Sequence, residues 1–494
     1  MLLFAALVVP FATAVATMLA WRSLRLQRAL SLAGAVGLLV VAVVILLRVA
    51  AGGPFAQQAG AWAAPFGISL VADGLSATML LLTGVTAVAV LLFALADVTP
   101  EEEHQGHHPL THGLLAGLAG AFLTGDIFNL YVWFEVMLIA SFGLLVIGRG
   151  RVVLDGAVKY AGLNLIATVA FLTGVGLLYG ATGALNMADL HGKLIGRGLE
   201  TPILVSAAFL IFAFGAKAAL FPLYFWLPAS YHTPSFATSA LFAALLTKVG
   251  VYALLRVFTL VYPVAETPIQ PLLLWVALAG MTAGALGALT MSTVRRTLGF
   301  TVVGSIGATM VGIAIGTPLA LVAAVFYLAQ DVLAKAALFL SAGMVRRLAG
   351  SEAFGAAGGL WRARPFTSLL FLVPALSLAG MPPFSGFWAK LLLVQATLAS
   401  GNYLMTAAVL LLGLLTLLAM ARIWAEVFWA PHPDGAAAVQ ARLPSAMAVP
   451  LVALTALIVI VGVNAGPFID AALAVGSGIA DPSAYIAAVL GPPR

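Results

Sequence analysis

The sequence predicts an all-α integral membrane protein of about 14 transmembrane helices, because its 494 residues run largely in apolar stretches of roughly 20 residues. Of these residues, 63% are hydrophobic and 8% are charged, whereas soluble domains carry about 25% charged residues. Such a chain cannot cover itself with polar surface, so lipid must surround it. The long unbroken apolar runs also exclude a β-barrel, whose strands alternate apolar and polar residues.

The expected spans follow one another with short polar loops between them. They lie at roughly 2–20, 28–50, 69–96, 112–125, 128–147, 158–180, 203–228, 236–259, 270–290, 298–316, 318–343, 366–399, 403–428 and 446–466. No linker divides the chain, so residues 1–494 form a single polytopic membrane domain. Within it we expect N-terminal helices over 1–110, one repeat over 111–260, a second over 268–430, and a C-terminal helix with a tail over 445–494.

The N-terminal stretch Met1–Ala20 has the length of a signal peptide but not its charge pattern. No basic residue precedes its apolar run, and Arg22, Arg25 and Arg28 follow it instead. This arrangement predicts a first anchored helix whose positive flank lies in the cytoplasm.

The remaining basic residues indicate the topology. Those that fall on the same side as the first arginines are Arg149, Arg151, Lys159, Arg295, Arg296, Arg346, Arg347, Arg362, Arg364 and Arg442. The other side receives Arg48, Lys193, Arg197, Arg256 and Arg494. The positive-inside rule therefore predicts a multi-pass membrane protein with both termini outside the cytoplasm. The net charge of +6 is a topology signal and does not indicate a nucleic-acid partner.

The candidate cofactor and metal ligands are few. The chain has no cysteine, which excludes disulfides and thiolate-bound clusters. Glu101–Glu103 precede His104, His107 and His108 in a polar stretch over 97–108, and such spacing suits a metal ion. Because it also arises easily on a solvated loop, we expect a solvated loop there, with no metal and no cofactor.

Two of the expected spans, TM7 and TM12, are broken by prolines. Pro222 and Pro228 interrupt TM7, and Pro382 and Pro383 interrupt TM12. A proline kink is common in membrane helices, but the freed carbonyls must be satisfied by protein or water, so such breaks line a polar interior. Each break has a lysine and a Phe-Trp pair nearby, and the two lie five spans apart. Helices five spans apart run in opposite directions, which predicts two inverted five-helix repeats, TM4–8 and TM9–13.

Five ionisable side chains lie near the middle of the expected spans or beside their breaks. They are Glu135, Lys217, Lys248, Lys335 and Lys390. A lysine near a helix end can extend to the interface, but these positions are too deep for that. Unpaired, at roughly 3 kcal/mol each, they would cost on the order of 15 kcal/mol. Leucine would fill the same volume without that cost, so a path for protons or ions is the better explanation.

The choice of lysine favours protons over sodium. Burial lowers the pKa of a lysine side chain, so a buried lysine can accept and release protons, whereas a sodium site requires several oxygen ligands. Asp331 and Lys335 are four residues apart and so share a helix face, as do Arg422 and Glu426. For the second pair, a structural role and a relay role are equally plausible. Asp73 is expected to begin a helix at the membrane interface.

Three long motifs carry a family resemblance. They are TGDIFNLYVWFEVMLIASFGLLVIG over 124–148, FGAKAALFPLYFWLPASYHTPSFATSALFAALLTKVGVYALLR over 214–256, and LAGMPPFSGFWAKLLL over 378–393. The chain resembles, over essentially its whole length, the D-type subunits of Mrp-type Na⁺/H⁺ antiporters, which belong to the antiporter-like subunits of respiratory complex I. The resemblance implies fourteen helices, two inverted repeats and a central hydrophilic axis.

The resemblance also assigns roles to residues of this sequence. It implies that Glu135 pairs with Lys217 at the first break, that Lys248 is the middle lysine, and that Lys390 is the terminal lysine. The position of Lys335 also matches. His232, after the first break, resembles a position that helps to hydrate the channel. Relatives often carry a histidine near Gln330 or Asp331, so Asp331 is a departure that changes the proton carrier at that step.

The function expected from these observations is that of a proton-translocating subunit in a multisubunit cation/proton antiporter. Its partners would be other membrane subunits, protons, and Na⁺ or K⁺. One alternative is a membrane-arm subunit of an NADH–quinone oxidoreductase or a membrane-bound hydrogenase, which would use the same relay. Another is a stand-alone transporter of an organic solute, which requires one midplane pocket instead of a row of lysines. The sequence contains no nucleotide loop, haem ligand pattern or catalytic triad, so an enzyme acting alone is not expected.

Overall fold

The computed structural model describes residues 1–147, 150–195, 200–262, 264, 267–439 and 442–491. Three of the basic residues used to predict the topology, Arg149, Arg197 and Arg494, lie outside these ranges. The described chain is a bundle of helices, and the expected all-α membrane fold is confirmed. Its first helices are α1 (Leu2–Leu19), α2 (Leu24–Gly52), α3 (Gly74–Asp97), α4 (Pro100–His104), α5 (His107–Leu123), α6 (Ile127–Val146), α7 (Arg151–Thr182), α8 (Met187–Leu194), α9 (Thr201–Ala218), α10 (Trp226–Ser230) and α11 (Phe236–Leu241).

The second half of the chain continues the bundle. Its helices are α12 (Thr247–Leu260), α13 (Ile269–Thr290), α14 (Val294–Ile315), α15 (Pro318–Ala349), α16 (Leu360–Ala363), α17 (Pro365–Ala379), α18 (Ser385–Ala399), α19 (Tyr403–Ile423), α20 (Ser445–Val463), α21 (Ala465–Ala480) and α22 (Ser483–Leu490). π-helical turns over Phe242–Leu246 and Trp424–Trp429 join α11 to α12 and extend α19.

Among the described residues, 12 helices are long and apolar enough to cross a membrane. The two expected spans missing from that set also have helical counterparts. One is α5, with 17 residues, and the other is the broken pair α17 and α18. The C-terminal region, expected to be a tail, instead forms α21 and α22, which are bent by 67° relative to each other.

Three spans form the centre of the bundle. The most apolar stretches of Phe236–Leu260, Val294–Ile315 and Pro318–Ala349 are 100%, 94% and 89% buried. Close packing accompanies this burial. A Cβ added to Gly250 on α12 would come within 2.5 Å of the Ala218 backbone nitrogen, so α12 lies directly against the end of α9. The central spans also carry Lys248, Asp331 and Lys335.

Both predicted breaks are present. Helix α9 stops at Ala218 because Ala219 adopts a left-handed conformation, with φ of 60°. Helix α17 ends before Gly380, with φ of 91°, and α18 begins at Ser385. Side chains satisfy the carbonyls at both breaks, since Trp226 Nε1 donates to the Ala216 carbonyl at 3.0 Å and Lys390 Nζ donates to the Ala379 carbonyl at 2.6 Å. The inverted symmetry of the two repeats stays a prediction.

A small antiparallel hairpin lies at one end of the bundle. Its strands are β1 (Phe55–Gln58) and β2 (Ser69–Ala72), with Phe55 opposite Ala72 and Gln58 opposite Ser69. The third expected span, 69–96, therefore begins too early. Asp73 is the residue that ends the strand, because its carboxylate accepts the Ser76 amide at 2.9 Å and caps α3.

The prediction of a solvated loop over 97–108 is wrong. This stretch forms α4 and the start of α5, and Glu103, His107 and His108 are buried. Glu103 makes an ion pair with Arg28 at 2.7 Å and contacts His108 Nε2 at 3.2 Å. These partners allow the carboxylate to be buried, which spacing along the chain could not reveal. Among the described residues, no three histidine or acidic side chains are placed to hold a metal ion.

Candidate functional site: a buried row of charges

Glu135 and Lys217 lie on neighbouring elements beside the first break. Glu135, half-buried on α6, accepts a hydrogen bond from Thr168 Oγ1 at 2.6 Å. Lys217, which is buried, is the last residue but one of α9 and donates to Tyr160 Oη at 3.4 Å. The two charges make no ion pair within 4.0 Å in the part of the chain that the structure describes. The expected pair is therefore separated, with each partner held by a hydroxyl group.

A small cavity lies beside these two residues. It has a volume of about 10 Å³, and its polar lining consists of Asn164, Thr168 and Lys217. A space of that size holds about one water molecule, provided that polar groups surround it. Thr168 already donates a hydrogen bond to Glu135. One water in the cavity would therefore connect the Glu135 carboxylate, through Thr168, to the Lys217 ammonium group.

Lys248 lies two residues after the end of the π-helical turn in the eighth span. A π turn leaves a backbone carbonyl without its usual helical partner, and here the Ala243 carbonyl accepts a hydrogen bond from Lys248 Nζ at 2.8 Å. The same ammonium group contacts Asp331 Oδ2 on α15, also at 2.8 Å. The local backbone and a distant carboxylate together hold the lysine side chain in place.

Asp331 lies between two lysines. Its Oδ2 binds Lys248, and its Oδ1 is 3.8 Å from Lys335 Nζ and has no hydrogen-bond partner. Lys335 donates instead to Thr301 Oγ1 on α14, at 2.7 Å. The side chains of Lys248, Asp331 and Lys335 are 1%, 2% and 0% exposed. The predicted Asp331–Lys335 pair is thus present only as the longer of two contacts, and the interhelical pair with Lys248 was not predicted.

Lys390 lies at the second break and is half-buried. Its ammonium group donates a hydrogen bond to the Ala379 carbonyl. A Cβ added to Gly413 on α19 would lie 3.2 Å from Lys390 Nζ, so the absence of a side chain there leaves room for the lysine. A further polar group lies between the second break and α15, since Gln330 Nε2 donates to Ser377 Oγ at 3.3 Å.

His232 lies outside the membrane-spanning helices, after the first break. Its Nδ1 contacts the Pro228 carbonyl at 3.0 Å, and its Nε2 lies 3.1 Å from Arg296 Nη2. Burial and the neighbouring Arg296 charge lower the pKa of His232. The exposed Arg296 and the half-buried Arg295–Glu352 pair lie on the same side of the bundle. This end of the eighth span is therefore polar and reached by solvent.

Besides the Lys248–Asp331 pair, the buried ion pair of Arg256 was not predicted, and the expected Arg422–Glu426 pair does not form. Arg256, assigned to a loop side, is buried and contacts Asp73 at 2.6 Å. Asp73 is the helix-start residue that was expected, but it also has this partner 183 residues away. Arg422 donates to the Leu289 carbonyl, and the ion pairs among the described residues do not include one between Arg422 and Glu426.

A polytopic membrane protein with a row of buried ionisable side chains belongs to a class that moves ions. Comparison with known proteins identifies the family within this class. The family model described as NADH:quinone oxidoreductase/Mrp antiporter, TM, matches residues 124–416. The D-type Na(+)/H(+) antiporter subunit of Alkalihalophilus pseudofirmus is 40% identical over 466 residues, which cover 94% of each chain. The chain therefore belongs to the NADH:quinone oxidoreductase/Mrp antiporter transmembrane family, and the family resemblance seen in its sequence is confirmed.

Solved structures agree with this assignment. A chain in the Mrp complex from Dietzia sp. DQ12-45-1b superimposes with a TM-score of 0.91 at 32% identity, over 99% of each chain. A chain of the membrane-bound sulfane sulfur reductase, an archaeal respiratory membrane complex, gives the same TM-score at 28% identity and the same coverage. The fold is thus shared by a chain of an Mrp complex and by a chain of an archaeal respiratory membrane complex.

Proposed function

We propose that this chain is the proton-translocating D-type subunit of a multisubunit Na⁺/H⁺ antiporter. The observation that supports this most is the contact of Lys248 and Lys335 with one carboxylate, Asp331, in the most buried part of the bundle. Charges at that depth are costly and have no packing role, whereas a row of titratable groups can transfer protons. Lys217 and Lys390, each beside a broken helix, extend the row on either side of this centre.

Glu135 and Lys217 act as a switch at one end of the row. When the two are close, the carboxylate stabilises the charged lysine, and when they are apart the lysine releases its proton more readily. In the structure the two residues are apart: Glu135 accepts a hydrogen bond from Thr168, and Lys217 donates one to Tyr160. A water molecule in the adjoining cavity would carry the proton between them.

The centre of the row works differently, because one carboxylate serves two lysines. Two protonated lysines beside one carboxylate would leave a net positive charge in a region of low dielectric. Asp331 therefore favours states in which either Lys248 or Lys335 is charged, and the proton passes from one to the other. Lys390 receives the proton at the second break, while His232 hydrates the opposite approach.

The coupled cation is Na⁺ or K⁺, and it crosses at a site made with neighbouring subunits. The row consists mainly of ammonium groups, which do not bind cations, whereas a sodium site needs several oxygens. The chain works in a bacterial cell membrane with other membrane subunits of its complex, and both termini lie outside the cytoplasm. The described basic residues support this orientation, as Arg28, Arg295 and Arg346 share one side.

A role in a redox-driven complex is the second candidate, and the likeness to the sulfane sulfur reductase chain favours it. The higher identity to the Alkalihalophilus antiporter chain, over nearly the whole length, favours the antiporter. Gentle purification of the complex decides between them. Membrane companions without redox cofactors support the antiporter, whereas flavin or iron–sulfur subunits support the redox enzyme.

Transport measurements test the relay itself. Lys248→Ala removes the central proton carrier and should reduce ΔpH-driven exchange by the assembled complex in vesicles by about 10²-fold, the usual contribution of a positioned acid or base. Lys159→Ala is the matched control, because Lys159 is exposed and pairs with the exposed Asp155 at 2.6 Å. Equal transport in the two variants at matched expression would contradict the proposed relay.

A further inference from the structure

The face of α12 that carries Lys248 also carries two other polar side chains. Tyr252 and Arg256 follow Lys248 at intervals of four residues, so all three project from one side of the helix. All three are buried, at 1%, 1% and 5% exposure. Eight residues of helix span about 12 Å, so this face leads from the centre of the membrane to the end of the span.

A buried ion pair lies at the end of that face. Arg256 Nη2 lies 2.7 Å from Asp73 Oδ1 and 2.6 Å from Oδ2. The same carboxylate caps α3 through the amide and hydroxyl groups of Ser76, both at 2.9 Å. The guanidinium lies 5.0 Å from the centre of the Tyr485 ring and 5.6 Å from that of Tyr252, within the range of cation–π attraction.

A lid of small elements covers this ion pair. It consists of the β1–β2 hairpin, α8 and α22, which carries Tyr485. Backbone hydrogen bonds join the lid to the turn between α5 and α6, since Gly125 donates to the Ser69 carbonyl and Met187 donates to the Gly125 carbonyl, both at 2.8 Å. Asn186 Nδ2 also donates to Ser69 Oγ at 3.1 Å. The lid is thus held at several points over the end of α12.

The two ends of the eighth span differ. At the end where it begins, Arg296 is exposed and His232 is half-buried, so solvent reaches that side. At the other end, which we propose to be extracytoplasmic, Arg256 and Asp73 are buried beneath the lid. The two ends of the span therefore differ in their access to solvent, and Lys248 is buried between them.

We propose that the Asp73–Arg256 pair is an electrostatic seal, closing a proton route that runs along α12 from Lys248 to the extracytoplasmic side. A guanidinium is always protonated, so it cannot accept a proton and pass it on. Asp73 holds the guanidinium across the route and cancels its charge, which makes burial possible. This inference rests on the proposed proton relay, because the seal matters only if Lys248 carries protons.

The test is a passive proton leak through the whole complex in sealed vesicles. A pH-sensitive dye inside the vesicles reports the decay of an imposed ΔpH without Na⁺ or K⁺ exchange. Arg256→Gln keeps a polar side chain but removes the charge, and should speed the decay several-fold. Arg256→Lys keeps the charge and should leak less. The double variant Arg256→Gln with Lys248→Ala should return the decay to the wild-type rate, because the leak passes through Lys248.

Two results would overturn the seal. One is a wild-type decay rate in the fully assembled Arg256→Gln complex, which would leave the pair a structural role alone. The other is a leak that persists when Lys248 is also replaced, which would show that the protons cross by a route that does not include Lys248. If the Arg256→Gln complex fails to assemble, Asp73→Asn releases the guanidinium with little change of shape and can still cap α3, and the same outcomes apply to it. Failure of the relay itself would appear separately, as normal coupled exchange in Lys248→Ala.

Discussion

Asp331 lies closer to Lys248, on another helix, than to Lys335, one turn away on its own helix. The two lysine–carboxylate distances are 2.8 Å and 3.8 Å. Because the nearer partner belongs to the first predicted repeat and the farther one to the second, Asp331 connects the two halves of the row. Its unpartnered oxygen faces the gap to Lys335.

We expect Asp331→Asn to impair transport strongly. The amide has almost the same shape but no charge, so Lys248 loses its counter-ion and remains neutral, and the proton cannot be loaded at the centre. Coupled exchange should fall by about 10²-fold, while Asp331→Glu should keep part of the activity. The matched control is Asp155→Asn at the exposed Lys159 pair. Near-normal exchange in Asp331→Asn would remove this carboxylate from the path.

Lys390 should be required as a titratable group. Lys390→Ala removes the last proton carrier at the second break and should abolish coupled exchange, whereas Lys390→His should retain a measurable part because imidazole titrates. Gly413 leaves room beside the lysine for such a change. Exchange assays on both variants at matched expression test this, and full activity of the alanine variant would contradict it.

The chain should not transport by itself. Glu135 and Lys390 occupy the two ends of the row and are only half-buried, so each faces an outer surface that a neighbouring subunit can cover. Purified and reconstituted alone, the chain should show no cation-coupled proton transport, whereas the complete complex should. Robust coupled exchange by the isolated chain would contradict this expectation.

Glu103 should stabilise the fold in a pH-dependent way. Although burial opposes its ionisation, hydrogen bonds from His108 and Arg28 outweigh burial and lower the pKa of Glu103 to about 2. A lowered carboxyl pKa contributes stability above the unfolded value of about 4.3, and that stability is lost as the pH falls toward 2. Glu103→Gln should therefore lower the free energy of unfolding by about 2 kcal/mol at pH 7.

Thermal unfolding of the detergent-solubilised protein checks this prediction. The difference between wild type and Glu103→Gln should shrink as the pH is lowered from 5 toward 3, because protonation removes the same charge that the substitution removes. Asp155→Asn, in the exposed pair with Lys159, is the control and should change stability little, because exposed ion pairs contribute little. A difference that stays constant with pH would show that the ion pair is not its source.

The sequence allowed the depth of the charges to be predicted but not their partners. Lys248 and Lys335 were identifiable because an ionisable group in a long apolar stretch is costly, and that cost can be judged from a local window. The contact between Lys248 and Asp331 joins residues 83 positions apart in the sequence. It depends on how α12 packs against α15. No local pattern carries that information, since only i, i+4 neighbours can be inferred from spacing.

The same limit explains the errors. Asp73 was recognised as a helix start because capping is local, but its partner Arg256 comes from a distant helix. Glu103 looked like part of a solvated loop because its ion-pair partner, Arg28, lies 75 residues earlier. The two breaks were predicted correctly because proline acts on its own backbone.

The central claim is that charge moves along the row because neighbouring groups act together, and a double-mutant cycle on Glu135 and Lys217 tests it most directly. Glu135→Gln removes the negative charge with little change of shape, and Lys217→Ala removes the proton carrier. ΔpH-driven exchange by the assembled complex should be measured in vesicles for both single variants and the double variant at matched expression. If the two form a switch, each single variant loses transport and the double variant is no worse than either. Strictly additive losses, or near-normal exchange in Glu135→Gln, would contradict the account.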